Sequence, residues 1–135
     1  MVKSKFMVAF DVSEENLSKN SRKSKKLSQE DVDEIRTNLT DILCECFDAL
    51  KVCQTTYLLS SNIESASKLR DNIINIKLKE SNEELFLEEE KEHIRLTVVG
   101  FGNNSIHRGE DRGIASHNPI DDINKIYQLA ERLNY

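Results

Sequence analysis

Glycine and proline are scarce. Four Gly and one Pro in 135 residues leave little chain for a flexible linker. The expectation is a single domain over residues 1–135, large enough to bury about two thirds of its extended surface. No apolar run approaches the ~20 residues that a membrane-spanning helix needs, so no membrane partner is expected. The apolar stretch near the N-terminus is cut short by Asp11 and lacks the core and cleavage site of a signal peptide. A cytoplasmic location is the expectation. Cysteines number three, Cys44, Cys46 and Cys53. Their spacing matches no zinc pattern, and reduced thiols in core or half-buried positions are expected. There are no internal repeats and no long low-complexity tract.

Charge, by contrast, is plentiful. Charged residues make up 32% of the chain against 38% apolar, a wet but foldable composition. The net charge of −5 is unevenly spread. Residues 1–30 carry seven Lys/Arg against four Asp/Glu, whereas residues 31–135 carry twelve against twenty. The basic excess sits in "KNSRKSKK", where Lys19, Arg22, Lys23, Lys25 and Lys26 occur with no anion among them. Such a cluster attracts phosphate; it is also the composition of a solvated loop. The acidic run Glu88 to Glu90 with Glu92 reads as a solvated turn, and His93 beside it as a surface residue of raised proton affinity.

Apolar periodicity orders the elements. In "KFMVAFDV" both parities are apolar, which predicts a central strand over Lys5 to Val12 covered on much of both faces. Ser13 to Leu27 has no pattern and reads as a loop. Ser28 is placed to cap a helix whose stripe runs Val32, Ile35, Leu39, Ile42, Cys46, Leu50, about five turns. "KVCQTTYLLSS" favours one strand, or two short ones joined near Gln54. A second helix follows, capped by Ser60 or Ser61, with Ile63, Ala66, Leu69 and Ile73 on its face. Residues 74–80 fit helix or strand equally. Leu85 to Glu88 and "HIRLTVVGF" read as strands. All four glycines fall in Gly100 to Pro119, the longest irregular segment, and a final helix is predicted over 120–135 with Ile123, Ile126, Tyr127, Ala130 and Leu133 as its stripe. This order predicts an α+β fold, a ferredoxin-like split βαβ sheet with an added C-terminal helix. A small doubly wound sheet is the alternative.

Two stretches carry a family resemblance: "MVAFDV", a strand closed by Asp, and "TTYLLSSNIESASKLRDNI", a strand followed by a helix with "LRD". Together these resemble the ferredoxin-like small dimeric proteins related to the CRISPR adaptation subunit, the virulence-associated protein D family and the SinR-like proteins. The likeness covers roughly the first 75 residues. It implies a homodimer and a metal-dependent phosphodiester cleavage in which Asp11 takes the place of the aspartate near the dimer axis. Thr55 and Thr56 take the place of the strand threonines, and Arg70 and Asp71 that of the helix pair.

The chemistry these residues support is specific. Metal-assisted cleavage needs carboxylates to hold Mg²⁺ or Mn²⁺. One Asp per chain is few, but a dimer axis brings two Asp11 side chains together, and their repulsion then calls for a cation. The basic loop leaves the same end of the first strand and is suited to hold a polyanion, with Thr55 and Thr56 hydroxyls for phosphate oxygens. In "HRGEDRGIASHNP", His107 is a candidate general base and Arg108 and Arg112 are candidate phosphate ligands. The expected function is therefore a small dimeric, ribonuclease-like endonuclease or a relative that binds RNA or DNA. The alternative is a non-enzymatic dimer, a phage- or defence-related regulator, that meets a protein through its acidic surface or C-terminal helix. Asp11 equally suits a purely local role in turning the chain out of the sheet.

Overall fold

The structure is a computed structural model that describes residues 4–17, 26–101, 113–119 and 132. Along the chain lie β1 (Ser4–Val12), α1 (Gln29–Cys46), β2 (Asp48–Cys53), β3 (Thr56–Ser61), α2 (Ala66–Ile74), α3 (Glu88–Lys91), β4 (Ile94–Phe101) and β5 (Ile114–His117). The strands form one five-stranded sheet in the order β2-β3-β1-β4-β5. Every neighbouring pair is antiparallel. The fold is thus mixed α+β, and a doubly wound sheet, built on parallel neighbours, is excluded. β1 and β2 point the same way with β3 between them, as do β3 and β4 with β1 between them.

Alternation along the strands sets the core. Phe6, Val8, Phe10 and Val12 of β1 and Ile94, Leu96 and Val98 of β4 are buried on one face. They pack with Val32, Ile35, Leu39, Ile42 and Leu43 of α1 and Leu69 and Ile73 of α2 in one cluster. Each of the larger side chains contributes on the order of 2 kcal/mol by leaving water. On the other face of β1, Met7 and Ala9 are half-buried and Lys5 and Asp11 exposed, so only the middle of the central strand is covered on both sides. Both main helices are capped by serine. Ser28 accepts from the Asp31 amide at 3.2 Å and Ser65 from the Lys68 amide at 3.2 Å, each satisfying one of the unpaired amides of a first helical turn.

Several expectations are corrected. α1 stops at Cys46, and Leu50 belongs to β2, because pairing with β3 outweighs the continuing helical pattern. All three cysteines are exposed rather than packed in the core. The cap of α2 is Ser65; Ser61 ends β3, where its hydroxyl accepts from the Ile63 amide at 3.1 Å. Of residues 74–80, only Ile74 is helical and none belongs to a strand. Ile74 ends α2, and a single bridge joins Lys77 to Glu84, around a turn in which Asn82 holds φ 59°. Leu85–Glu88 forms no strand, and the acidic run is the short helix α3. His93 is 3% exposed and not a surface residue. Within 100–119, Phe101 still belongs to β4 and Ile114–His117 form β5.

The predicted helix over 120–135 lies outside the described residues except for Arg132, which is helical and exposed. Among the described residues, no helix is long and apolar enough to cross a membrane.

Candidate functional site

The face of the sheet away from the core carries the candidate chemistry, because odd-numbered residues of β1 point there. Asp11 lies on this face, exposed, directly across from Arg95 of β4. No ion pair or side-chain hydrogen bond to its carboxylate occurs among the described residues. Arg95 is half-buried, and its Nε donates to the Asn118 carbonyl at 2.8 Å. That bond fixes the guanidinium and leaves its terminal nitrogens for another acceptor.

One register step back, about 7 Å along the strands, runs a row of small and hydroxyl side chains. Thr56 of β3 faces Ala9, Ala9 faces Thr97 of β4, and Thr97 faces Ser116 of β5. The Thr97 and Ser116 hydroxyls lie 3.3 Å apart. A carboxylate, a guanidinium and three hydroxyls therefore share one surface. Thr55 does not join them: it sits in the β2–β3 turn, and its carbonyl accepts from the Phe10 amide at 2.9 Å.

The chain around the basic segment is anchored at this same end of the sheet. The Leu17 amide donates to the Glu92 carbonyl at 2.8 Å, and the Leu27 amide to the Glu14 carbonyl at 3.0 Å. His93 reinforces the stem, with Nδ1 3.1 Å from the Ser13 carbonyl. Lys26, at the far side of the stem, pairs with Glu15 at 3.1 Å; this hydrogen bond, with the charges of Glu15 and Glu14, holds its ammonium above the ordinary range. Lys19, Arg22, Lys23, Lys25, His107, Arg108 and Arg112 lie outside the described residues.

Arg70 serves a different purpose from a site residue. It donates to Asp71 at 2.9 Å and to the Ser116 carbonyl at 3.3 Å, so the pair ties α2 to β5. Sequence reading missed Arg95, Thr97 and Ser116. The signal for the first two was present: with Ile94, Leu96 and Val98 inward, Arg95 and Thr97 must face outward. Ser116 had none, since β5 was read as loop.

Asp11 stands apart as a metal ligand within one chain. No group of three or more His, Cys, Asp or Glu able to hold a metal exists among the described residues. The donors nearby, a carboxylate and hydroxyls, are the hard oxygen type that suits Mg²⁺ or Mn²⁺, but the set is short by at least one carboxylate. A second concavity, of about 460 Å³, lies between α1 and residues 76–85, floored by Ile42, Ile76 and Leu85 with Asp41 and Lys77 on its walls.

No family model, curated protein or solved structure matches the chain.

Proposed function

We propose that the protein is a small, dimeric, metal-dependent endonuclease of ribonuclease-like type, built on a ferredoxin-like split βαβ sheet. The strand order β2-β3-β1-β4, with β5 added outside β4, supports the fold assignment. The observation that carries the activity is the exposed carboxylate of Asp11, unpaired among the described residues, beside Arg95 on the outward face of the central strand.

A strand-ending Asp that only turned the chain would bond to its own backbone; Asp11 does not. Arg95 and the Thr56, Thr97 and Ser116 hydroxyls offer donors to the oxygens of a phosphodiester and hold it against the sheet. Leu17 and Leu27, which flank the basic run Lys19–Lys26, are bonded at this end of the sheet, and the composition of that run suits a polyanion. Asp11 from each of two copies would supply the paired carboxylates for Mg²⁺ or Mn²⁺. When bound, that ion supplies a water of lowered pKa as nucleophile.

The test is cleavage of short RNA and DNA by the wild type and Asp11→Asn, with and without Mg²⁺ or Mn²⁺. Metal-dependent cleavage that falls at least a hundredfold in Asp11→Asn supports the reading. Absence of cleavage by the wild type, or equal cleavage by both, removes it.

A second reading, a non-enzymatic dimer that meets a partner protein, is favoured by one observation. Leu50 and Leu58 are neighbours on the outward face and are 67% and 39% exposed. Under that reading Asp11→Asn leaves partner binding intact and Leu58→Asp abolishes it.

A further inference from the structure

The concavity of about 460 Å³ between α1 and residues 76–85 falls within the usual range of small-molecule sites, ~300–1,000 Å³. Its floor is apolar. Ile42 is buried, Ile76 and Leu85 are half-buried, and Leu78, which also lines it, is 46% exposed. Residues 76–85 fold back on themselves to make the wall opposite α1. The Leu85 amide donates to the Ile76 carbonyl and the Leu78 amide to the Glu83 carbonyl, each at 2.8 Å.

The α1 wall breaks two local rules at one place. Asp41 and Glu45 both line it, one helical turn apart. Like charges at that spacing repel. Glu45 also lies in the last turn, where the helix end is itself negative and a cation is the favoured neighbour. No basic residue occupies that turn. Neither carboxylate has an ion pair or hydrogen bond among the described residues. The opposite wall differs. Lys77 stands across from Glu84 in the bridge, so its charge has an opposite one beside it, and Lys79 is exposed in the turn that follows. The groove thus joins an apolar floor to uncompensated negative charge on its helical side.

We propose that this groove binds a small apolar organic cation, an amine or quaternary ammonium on a hydrocarbon body, with the body over Ile42, Ile76 and Leu85 and the positive group at Asp41 and Glu45. α1 packs on the face of the sheet opposite Asp11, so the site is independent of the chemistry proposed there. An apolar anion held by Lys77 and Lys79, a peptide segment of a partner protein, and residues of this chain itself are the occupants that the test must separate.

The experiment titrates the full isotope-labelled chain with decyltrimethylammonium, decyl sulfate and decyl maltoside, each below its micelle concentration, and follows the amide shifts. The expected result is saturable shifts centred on residues 38–46 and 76–85, with the cation bound about fivefold tighter than the anion or the neutral probe. Asp41→Asn with Glu45→Gln should lose about that factor for the cation alone. Both substitutions relieve repulsion, and unshifted β1 amides show that the fold is kept. Glu34→Gln with Glu64→Gln removes the same charge from exposed positions elsewhere and should leave the cation's affinity unchanged. Leu78→Ser should weaken all three probes. Decyl sulfate bound as tightly as the cation overturns the proposal. So does an equal loss in both double variants, which would mean that net charge alone draws the cation. Absence of saturable shifts at the groove, as when the chain's own residues fill it, overturns it as well. Tighter binding of acetyl-Leu-Leu-Lys-amide than of the decyl cation assigns the groove to a partner protein and overturns it too.

Discussion

The rings of Phe10 and Tyr57 stack between β1 and β3, with centroids 6.2 Å apart and planes inclined by 12°. The stack is fully inside, and the Tyr57 hydroxyl has no hydrogen-bond partner among the described residues. The ring is therefore stabilising and the hydroxyl is not. A buried hydroxyl without a partner costs about 1–3 kcal/mol. Tyr57→Phe keeps the stack and removes that cost, so its urea midpoint should equal or exceed that of the wild type. Tyr57→Ala should lose about 3–5 kcal/mol. A loss of stability in Tyr57→Phe would mean that the hydroxyl does have a partner.

Lys91 is the one buried lysine among the described residues, and its three ammonium protons are matched by three acceptors. It reaches Asn75 Oδ1 at 2.8 Å, Glu84 Oε2 at 2.8 Å and Glu88 Oε1 at 3.0 Å. The bonds pin α3 and residues 75–84 to each other. Lys91→Met should cost about 2–3 kcal/mol, below the usual figure for a broken buried pair because both carboxylates still touch water.

The pH dependence follows from the same group. Burial pushes the Lys91 ammonium down, but the bonds and charges of Glu84 and Glu88 outweigh it and hold it above its ordinary range. Its stabilisation is present below the unfolded value and is lost as pH rises through the folded one. The bond from Lys91 holds the Glu84 carboxyl below its ordinary range. That part is present above the unfolded value of about 4.3 and is lost as pH falls through the folded one. The difference in urea midpoint between wild type and Lys91→Met should stay flat from about pH 5 to 10 and narrow on either side. A difference independent of pH would rule out this ion pair as its source.

Most of the sheet was legible because alternation is a local signal. "HIRLTVVGF" and "KFMVAFDV" show inward and outward residues directly. β5 was not legible: four residues, Ile114 to His117, are too few to show a period, and they are held as a strand by β4. His93 misled for a related reason. Its acidic neighbours suggested water, but Ser13 pairs with it through backbone and ring alike, a contact 80 residues apart in sequence. At the site, Asp11 was conspicuous as a carboxylate ending the apolar run of β1. That Arg95 faces outward was legible in the alternation of β4, but its place across from Asp11 follows only from the register of β1 and β4.

Cys53 is one of three exposed thiols. Its pKa is lowered chiefly by a hydrogen bond from the Thr56 side chain, then by the Thr55 backbone amide, with smaller help from the Thr56 amide and Lys51. A lowered pKa means more thiolate near neutral pH and faster alkylation. Peptide mapping after brief iodoacetamide treatment at pH 7 should find Cys53 modified before Cys44 and Cys46. Thr56→Val should remove the lead. Equal rates in the wild type would show that the hydroxyl does not favour the thiolate.

Asn118 closes β5 by conformation and by side chain, and the two are separable. Its φ of 51° lies in the left-handed region, where Asn and Gly are tolerated and Ala is strained. Its Nδ2 donates to the Lys91 carbonyl at 3.1 Å and the Ile94 carbonyl at 2.9 Å. The Lys91 carbonyl also accepts from His117 Nε2 at 2.7 Å, so it stays satisfied if Asn118 is lost. The Ile94 carbonyl loses the bond that draws β5 onto the start of β4. Asn118→Gly keeps the turn and should cost about 1–2 kcal/mol through the missing bonds. Asn118→Ala adds backbone strain of about 1 kcal/mol. Urea denaturation should therefore rank wild type above Asn118→Gly and Asn118→Ala last. Amide exchange at Ala115 and Ser116 should quicken in both variants while that of β1 holds. Equal stability of Asn118→Ala and wild type would mean that this turn does not hold β5 in place.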